Sequence, residues 1–488
     1  MKLSEILSTT DYTLVQGSTD IEIKELVYDS RKAKNGCAFV CLVGYNTDGH
    51  KYAQSAIDSG CTVLIVSKDI EAPDNVTVIR TADTRKALAY MSAQFFGNPS
   101  HELITIGITG TKGKTTTTAM IKSVLEKGGL KTGTIGTLGI VIGDNIYKTN
   151  NTTPESFEIQ QAMRKMLDEG CKAMVIEASS LGLKWHRTDA IEFDYGIFTN
   201  FSHDHIGDSE HKDMDEYLYC KSLLFNQCKH ACANIDDEMW QKVTANATCD
   251  VETFGFSENA DICAYDDKLI SRSGYLGVGF KTKNELSLDV SVPIPGKFSV
   301  YNALAAISVC RHIVDEKALI EGLNCALVKG RVEPVPVSGD YTLLIDYAHN
   351  AVSMENVLTT LREYKPNRLI TMFGAGGNRP RDRRYEMGEI SGRLSDLSVI
   401  TEDNSRFEDV MDIIADIKTG IEKTDSKYVI VPNRRDAIRY CMINAQKGDI
   451  VVLAGKGHED YQEIKGIKYH MDEREIIAEI EKELKESE

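Results

Sequence analysis

The sequence predicts an α/β protein of three domains, with open, mainly parallel sheets in its central and C-terminal parts and a small α/β domain before them. Three observations predict it. Apolar runs of strand length alternate with helical periodicity over most of the chain. A glycine turn at Gly110–Gly113 joins one such run directly to the start of a helix. Pro334 and Pro336 interrupt the alternation just after Arg331, and it then restarts. At 488 residues the chain has room for about two to four domains of roughly 150 residues each. The expected domains are 1–100, 101–331 and 332–488.

In the first domain, strands are expected at Glu22–Tyr28, Ala38–Leu42, Thr62–Ile65 and Val76–Ile79, and helices at Tyr52–Ser59 and Arg85–Phe96. Asn98-Pro99-Ser100 is a natural break. Tyr28-Asp29-Ser30-Arg31 ends the first strand, and Gly44-Tyr45-Asn46-Thr47-Asp48-Gly49-His50 forms a polar loop. By composition both read as ordinary turn and loop chemistry.

The central domain is organised around Thr105–Thr118. Leu103, Ile104, Ile106 and Ile108 read as a buried strand. Gly110 and Gly113 let the backbone turn its N–H groups toward an anion, and the helix from Thr115 points its positive end at the same place. Lys114 adds a full charge, and the Thr115 hydroxyl can ligate magnesium. This is a P-loop-type phosphate cradle, most simply for ATP, with Ile108 where the usual spacing has another glycine.

Further strands are expected at Lys131–Thr137, Ala173–Ile176 and Asp194–Thr199, and Thr153 as the N-cap of a helix with Pro154 at its first position. Glu177 and His205 follow two of these strands. A carboxylate and an imidazole at that sheet edge can hold magnesium against nucleotide phosphates; a helix-start acid and a loop histidine are the plainer alternatives. Lys221 sits among Tyr217, Leu218, Leu224 and Phe225, and by composition reads as a snorkelling surface lysine. Val251–Phe256, Ile262–Tyr265, Gly277–Thr282 and Leu286–Val292 alternate like antiparallel strands, and Pro295–Asn302 leads into an alanine-rich helix.

The last domain reads as a Rossmann-like α/β sheet, with strands at Thr342–Ile345, Leu369–Phe373, Leu397–Ile400, Tyr428–Val431 and Ile450–Leu453 and a closing helix at Glu473–Lys485. Polar loops follow four of these strands: Asp346–Asn350, Gly374–Arg384, Thr401–Arg406 and Gly455–Gln462. The arginines of the second loop, Arg379, Arg381, Arg383 and Arg384, form a basic patch suited to an anion or carboxylate.

The net charge of −17 argues against nonspecific nucleic-acid binding and against an anionic membrane surface. The 12 cysteines include no C-x-x-C pair and read as reduced core residues of a cytoplasmic protein. Met1–Ser8 lacks the apolar run of a signal peptide, and no stretch approaches the ~20 apolar residues of a membrane span.

Taken in order and spacing, Gly110–Thr116, Glu177-Ala178-Ser179-Ser180, Asn200–His205, Tyr301-Asn302-Ala303-Leu304-Ala305-Ala306, Asp346–Asn350 and Gly455–Glu459 resemble the Mur ligase family. The resemblance covers nearly the whole length and points to the members that add the third amino acid to a peptidoglycan precursor. It implies a monomeric, ATP- and Mg2+-dependent ligase acting on small molecules. The D-glutamate γ-carboxylate of UDP-N-acetylmuramoyl-L-Ala-D-Glu becomes an acyl phosphate, and an amine displaces the phosphate.

Carried over by motif, Gly110, Thr111, Lys112, Gly113, Lys114, Thr115, Thr116, Asn302, Arg331 and Asp346 would bind ATP. Thr115, Glu177, His205 and a carbamylated Lys221 would hold the metal, with Lys114, His205 and Lys221 as the catalytic groups. Ser30, Gly44, Tyr45, Asn46, Asn151, Thr152, Thr153, Ser179 and Arg187 would hold the UDP-linked substrate. Arg379, Asp403, Asn404, Ser405, Arg406, Gly455 and Glu459 would hold the incoming amino acid.

The members that use meso-2,6-diaminopimelate carry Asp-Asn-Pro-Arg, so Arg406 favours that amino acid over L-lysine, which has no distal carboxylate. Ser405 replaces the proline, Trp185 stands where some relatives have glutamine, and Lys112 replaces an asparagine. The competing readings are a folylpolyglutamate-type ligase, a P-loop kinase or GTPase, and a non-catalytic nucleotide-binding scaffold.

Overall fold

The structure, a computed structural model, describes residues 1–44, 47–207, 210–272 and 274–487. Tyr45 and Asn46, expected at the UDP end of the substrate, lie outside the described residues. The protein is an α/β chain of three domains. It forms two compact units, Met1–Cys263 with Tyr301–Gly322, and Ala264–Val300 with Leu323–Glu488.

The first unit holds two sheets. One is five-stranded, in the order β1-β5-β4-β3-β2, with β1 (Thr13–Gln16), β2 (Glu25–Val27), β3 (Cys37–Val40), β4 (Val63–Val66) and β5 (Thr77–Arg80). Every residue of β3 and β4 is buried, as an apolar run with no alternation requires. The edge strand β1, antiparallel to β5, is mostly exposed and carries no apolar pattern, so the sequence does not announce it.

The other sheet contains β6 (Ile104–Thr109), β7 (Thr132–Gly136), β8 (Gly139–Ile142), β9 (Asn145–Tyr147), β10 (Ala173–Glu177), β11 (Phe193–Phe198), β12 (Cys228–Asn234) and β13 (Val251–Gly255). They run in the order β13-β12-β11-β6-β10-β7-β8-β9. β6 lies between β10 and β11, parallel to both, and the register sets Ile108 beside Glu177 and Thr109 beside Phe198. The chain thus leaves β6 at a switch point, where neighbouring strands depart to opposite sides and a crevice opens at their carboxyl ends. The core packs Met163, Met166, Phe193, Phe198, Leu224 and Phe225 against this sheet.

Two expectations fail here. β13 pairs in parallel with β12, Ala231 opposite Val251, rather than joining an antiparallel meander; an alternating pattern specifies a face, not a direction. Thr153 is not an N-cap. The helix spans Ser156–Asp168 with Glu155 before it, because the Thr153 hydroxyl is already engaged with the Glu177 carbonyl at 2.7 Å and Ser179 Oγ at 2.8 Å.

The second unit contains most of β14 (Ile262–Arg272), whose first residues, Ile262 and Cys263, pair in parallel with β13 against expectation, and it contains β15 (Tyr275–Asn284) and β16 (Asp289–Val292), which are antiparallel to each other as expected. Its main sheet is six-stranded, in the order β17-β18-β22-β19-β20-β21. The strands are β17 (Glu333–Val335), β18 (Thr342–Asp346), β19 (Leu369–Phe373), β20 (Leu397–Ile400), β21 (Lys427–Ile430) and β22 (Ile450–Ala454); β17 is antiparallel and the rest parallel. Apolar clusters cover both faces, one around Phe373, Met387 and Ile417, the other around Ile438, Cys441 and Ile477. A two-stranded hairpin, β23 (Tyr461–Ile464) and β24 (Ile467–His470), follows β22. Among the described residues no helix is long and apolar enough to cross a membrane, and the cysteines are free.

Candidate active site

The loop after β6 has the conformation its glycines allow. Gly110 has φ +146 and Gly113 φ +88, and Gly113 stands at the N-cap of the helix Lys114–Lys127. A Cβ on Gly113 would come within 2.4 Å of Asn302 Oδ1, and one on Gly110 within 1.9 Å of Thr199 Oγ1. Both positions are therefore closed to any side chain. Asn200 pins the turn: its Oδ1 accepts from Lys112 N at 2.9 Å, its Nδ2 donates to Lys112 O at 3.0 Å, and its carbonyl accepts from Thr111 N at 2.8 Å. Tyr217 OH and Ser202 N both donate to the Thr111 hydroxyl, at 3.2 and 3.0 Å. Thr115 and Thr116 occupy the first helical turn. Asn302, on the helix Phe298–Cys310, lies against the same turn and accepts from Thr117 Oγ1 at 3.4 Å.

Two lysines meet at Gly110. Lys114 Nζ donates to the Gly110 and Thr111 carbonyls at 2.8 and 3.0 Å, and Lys221 Nζ donates to the Gly110 carbonyl at 2.8 Å. Lys221 is 1% exposed and lies 4.2 Å from the Tyr217 ring centroid, so it is a buried group and not the snorkelling residue its neighbours implied. Burial, then the Lys114 charge, pushes the Lys221 amine well below its ordinary 10.5. Burial also lowers Lys114, against the pull of Glu177 and Asp204.

Glu177, at the end of β10, is buried beside the loop. Its Oε2 accepts from Thr115 Oγ1 at 3.0 Å and Thr137 Oγ1 at 3.1 Å, and its Oε1 from Thr137 N at 2.9 Å. A threonine hydroxyl next to a carboxylate is the hard-oxygen set that magnesium takes, with water completing its shell. Thr115 and Glu177 thus fit the metal. His205 has φ +56, its Nδ1 faces Glu210 Oε1 at 2.8 Å across its own turn, and its ring lies 5.8 Å from that of Tyr217. Among the described residues no group of three or more His, Cys, Asp or Glu side chains gathers for a metal.

The residues expected on the UDP-linked substrate fall into two groups. Ser30 and Gly44 line one cavity with Phe39, Leu42, Tyr52, Arg85 and Glu155. Asp29 also caps the short helix Ser30–Lys32, so the turn chemistry read from composition and the cavity lining coincide. Nearer Glu177, Thr153 and Ser179 share a hydrogen bond, and Thr152 Oγ1 lies 3.4 Å from Thr137 Oγ1. Asn151 belongs to the same stretch, and its carbonyl accepts from Thr149 Oγ1 at 3.0 Å. Arg187 Nε and Nη2 donate to Glu155 Oε1, Arg187 Nη1 donates to the Thr153 carbonyl, and Arg85 Nη1 donates to Glu155 Oε2 at 3.0 Å. Arg85 and Thr137 carry no motif and were not foreseen; their partners are distant in the sequence.

In the second unit Asp346 is buried, and its oxygens accept from Val332 N and Ala348 N, each at 2.7 Å. Its carboxylate therefore ties down the strand-end loop. Arg331 lies 5.2 Å from the Tyr347 ring centroid, and Tyr347 lies 4.7 Å from the His458 ring. Burial, then the charges of Arg331, Lys329 and Arg474, pushes His458 down to about 4.

Arg379, Asp403, Asn404, Arg406, Gly455 and Glu459 line one cavity together with Arg383, Tyr347 and His349. Ser405 is buried beside them. The basic patch read from the sequence divides. Arg379 and Arg383 face the cavity, whereas Arg384 is 1% exposed and paired with Glu408 at 2.7 Å and Asp416 at 2.9 Å. Arg381 approaches Asp416 at 3.7 Å. Arg384 serves the fold, because a buried guanidinium demands its own carboxylates.

Lys456, inside the Gly455–Glu459 motif but not foreseen as a site residue, is fully buried. It donates to Asn404 Oδ1 at 2.6 Å and the Tyr461 carbonyl at 2.9 Å, and lies 3.3 Å from Asp403. Asn404 Nδ2 in turn donates to Glu459 Oε2 at 3.0 Å. Burial raises Asp403, but Lys456, Arg434 and hydrogen bonds outweigh it and hold the carboxyl below its ordinary range.

The Mur ligase family catalytic domain matches residues 22–96, the Mur ligase middle domain 108–310, and the Mur ligase glutamate ligase domain 330–457. A Clostridium botulinum protein named UDP-N-acetylmuramoyl-L-alanyl-D-glutamate–2,6-diaminopimelate ligase is 41% identical, over 99% of this chain and 100% of that protein. A Clostridium acetobutylicum protein with the same name, numbered 1, is 42% identical over 99% and 100%. A solved structure of a UDP-N-acetylmuramoyl-L-alanyl-D-glutamate–2,6-diaminopimelate ligase superposes with a TM-score of 0.75 at 27% identity, covering 99% of each chain. With relatives above the 40% level along its full length, and a phosphate loop, acidic strand end and C-terminal cavity in the matched domains, the chain belongs to the Mur ligase family.

Proposed function

We propose that this protein is an ATP-dependent, ADP-forming ligase that joins 2,6-diaminopimelate to the D-glutamate γ-carboxylate of UDP-N-acetylmuramoyl-L-alanyl-D-glutamate. The observation that carries the reading is the C-terminal cavity, whose lining holds Arg406 and Arg379 together with Glu459 and Asp403. Such a lining matches a ligand with both carboxylate and ammonium groups at separated positions. The name shared by the relatives supports the same amino acid.

Mur ligases use ATP and Mg2+. Bound magnesium neutralises charge on the transferring phosphoryl group. Thr115 and Glu177 are the side chains to hold it. The Gly110–Thr116 backbone and the helix end cradle the phosphates, and Lys114 swings from the Gly110 carbonyl to meet the charge that develops in transfer. The substrate carboxylate takes the γ-phosphoryl group and ADP leaves. The incoming amine then adds to the acyl carbon, loses a proton, and expels inorganic phosphate.

Lys221 acts as a carbamate in this reading. Its unprotonated amine adds to carbon dioxide, a proton leaves, and an anionic oxygen ligand results; burial supplies the neutral amine. His205, whose Nδ1 faces Glu210, would be a further ligand. Arg331, Asn302 and Asp346 serve the nucleotide. Ser30, Gly44, Asn151–Thr153, Ser179 and Arg187 serve the UDP-linked peptide. The protein works as a cytoplasmic monomer of three domains, 1–100, 101–331 and 332–488.

The test is phosphate release and product mass with UDP-N-acetylmuramoyl-L-alanyl-D-glutamate and a panel of amines. Release and a tripeptide product with 2,6-diaminopimelate are expected. Product with L-lysine instead reassigns the amino acid, and ATP binding without any product leaves only a nucleotide-binding scaffold.

A further inference from the structure

The guanidinium of Arg406 is held from two sides by the protein itself. Arg406 Nε donates to Glu463 Oε2 at 3.1 Å, and Nη1 donates to the Gly377 carbonyl at 2.7 Å. The backbone is clamped at the same place. Arg406 N donates to the Glu463 carbonyl at 3.0 Å, and Lys465 N donates to the Arg406 carbonyl at 2.7 Å. Glu463 N donates to Asn404 Oδ1 at 2.8 Å. The hairpin β23–β24 thus grips the Thr401–Arg406 loop by main chain and side chain together.

The grip matters because of what the loop lacks. Ser405 does not lock its own φ as a proline would. Arg406 itself sits at φ +51, a conformation that non-glycine residues adopt only when their surroundings impose it. A long arginine side chain also has many rotamers to lose on binding, and a site that fixes it beforehand binds more tightly.

We propose that Glu463 is a positioning residue for amino-acid recognition. Its carboxylate fixes the Nε edge of Arg406, so that Nη2 and the free edge of Nη1 are presented to a ligand carboxylate in the cavity. The inference rests on the reading of that cavity as the amino-acid site. Glu463 touches Arg406 and not the ligand, so it tunes affinity and selectivity and leaves the chemical step alone.

The test is steady-state kinetics of the full chain at saturating ATP and UDP-linked dipeptide, with 2,6-diaminopimelate varied. Glu463→Ala is expected to raise its KM about 10-fold with kcat within about 2-fold, the pattern of lost binding common to ground and transition states. Glu463→Gln keeps an acceptor for Nε and is expected to recover most of the loss. In an Arg406→Ala background, Glu463→Ala is expected to add nothing, since the coupled pair is already broken. A loss in Glu463→Ala confined to kcat or to the KM for the dipeptide overturns the proposal, as does a lowered KM, which would make Glu463 a competitor for Arg406. If Arg406→Ala raises the KM and Glu463→Ala does not, the positioning role alone fails. If Arg406→Ala leaves the KM unchanged, the cavity reading fails and the proposal with it.

Discussion

Gly110–Thr116 is one contiguous turn, and most of what it offers an anion is backbone: N–H groups, a helix end and the space left by two glycines. The cavity of the second unit is drawn from separate segments, around Tyr347, Arg379, Asp403 and Gly455, and what it offers is side-chain charge. The first site needs little support, because peptide geometry sets its direction. The second stands on a buried network in which Lys456 joins Asp403, Asn404 and Tyr461. Backbone sites are robust and general for phosphate; side-chain sites are selective, and each member leaves partners stranded when removed.

The contrast is broken most directly at Lys114. Lys114→Ala removes the buried one of the loop's two lysine charges and leaves its backbone, so ligation should fall roughly 10³-fold with thermal unfolding little changed. Phosphate release under saturating substrates measures the first and a melting curve the second; retained ligation defeats the reading of the loop. Lys221→Ala should cost about 10²-fold, with part of the rate returned by added acetate standing in for a carbamate. No loss on substitution removes the carbamate role.

In the other unit the order of effects should reverse, stability first. Lys456→Met leaves Asp403 buried without its nearest cation and should cost about 3 kcal/mol in denaturant unfolding, with the KM for the amino acid rising. A variant as stable as the parent would dissolve the contrast.

The smallest effect is a pH dependence. The folded His458 titrates near 4 and an unfolded one near 6.5. Between those values the unfolded chain binds the extra proton, so stability falls as pH drops through the window. The lowered Asp403 carboxyl adds a loss in the same direction at more acid pH. Denaturant midpoints from pH 7 to 4.5 should decline, and less steeply in His458→Gln; equal slopes assign the effect to other groups.

How much of this was legible follows the same division. The strand–glycine–lysine–threonine order of the loop reads directly, because its geometry is fixed by residues a few positions apart. The parallel sheets read from buried apolar runs such as Val63–Val66 and Leu369–Phe373. Arg384 reads no differently from Arg379 or Arg383, yet one is buried against Glu408 and Asp416 and the others face a cavity. Thr137, Arg85 and Glu463 have no motif at all; each gains its place from a partner on another element.

By itself the sequence determined where backbone must turn, which runs must be buried, and the family that this order of motifs marks. Only the tertiary structure decided which charges lie inside. It buried Lys221 against Gly110, pointed His205 at Glu210, and gave Arg406 a carboxylate from the hairpin. Turn and strand preferences come from sterics within a few residues. The fate of a charge depends on how much water is removed around it and what lies opposite, and both are set by elements far away along the chain.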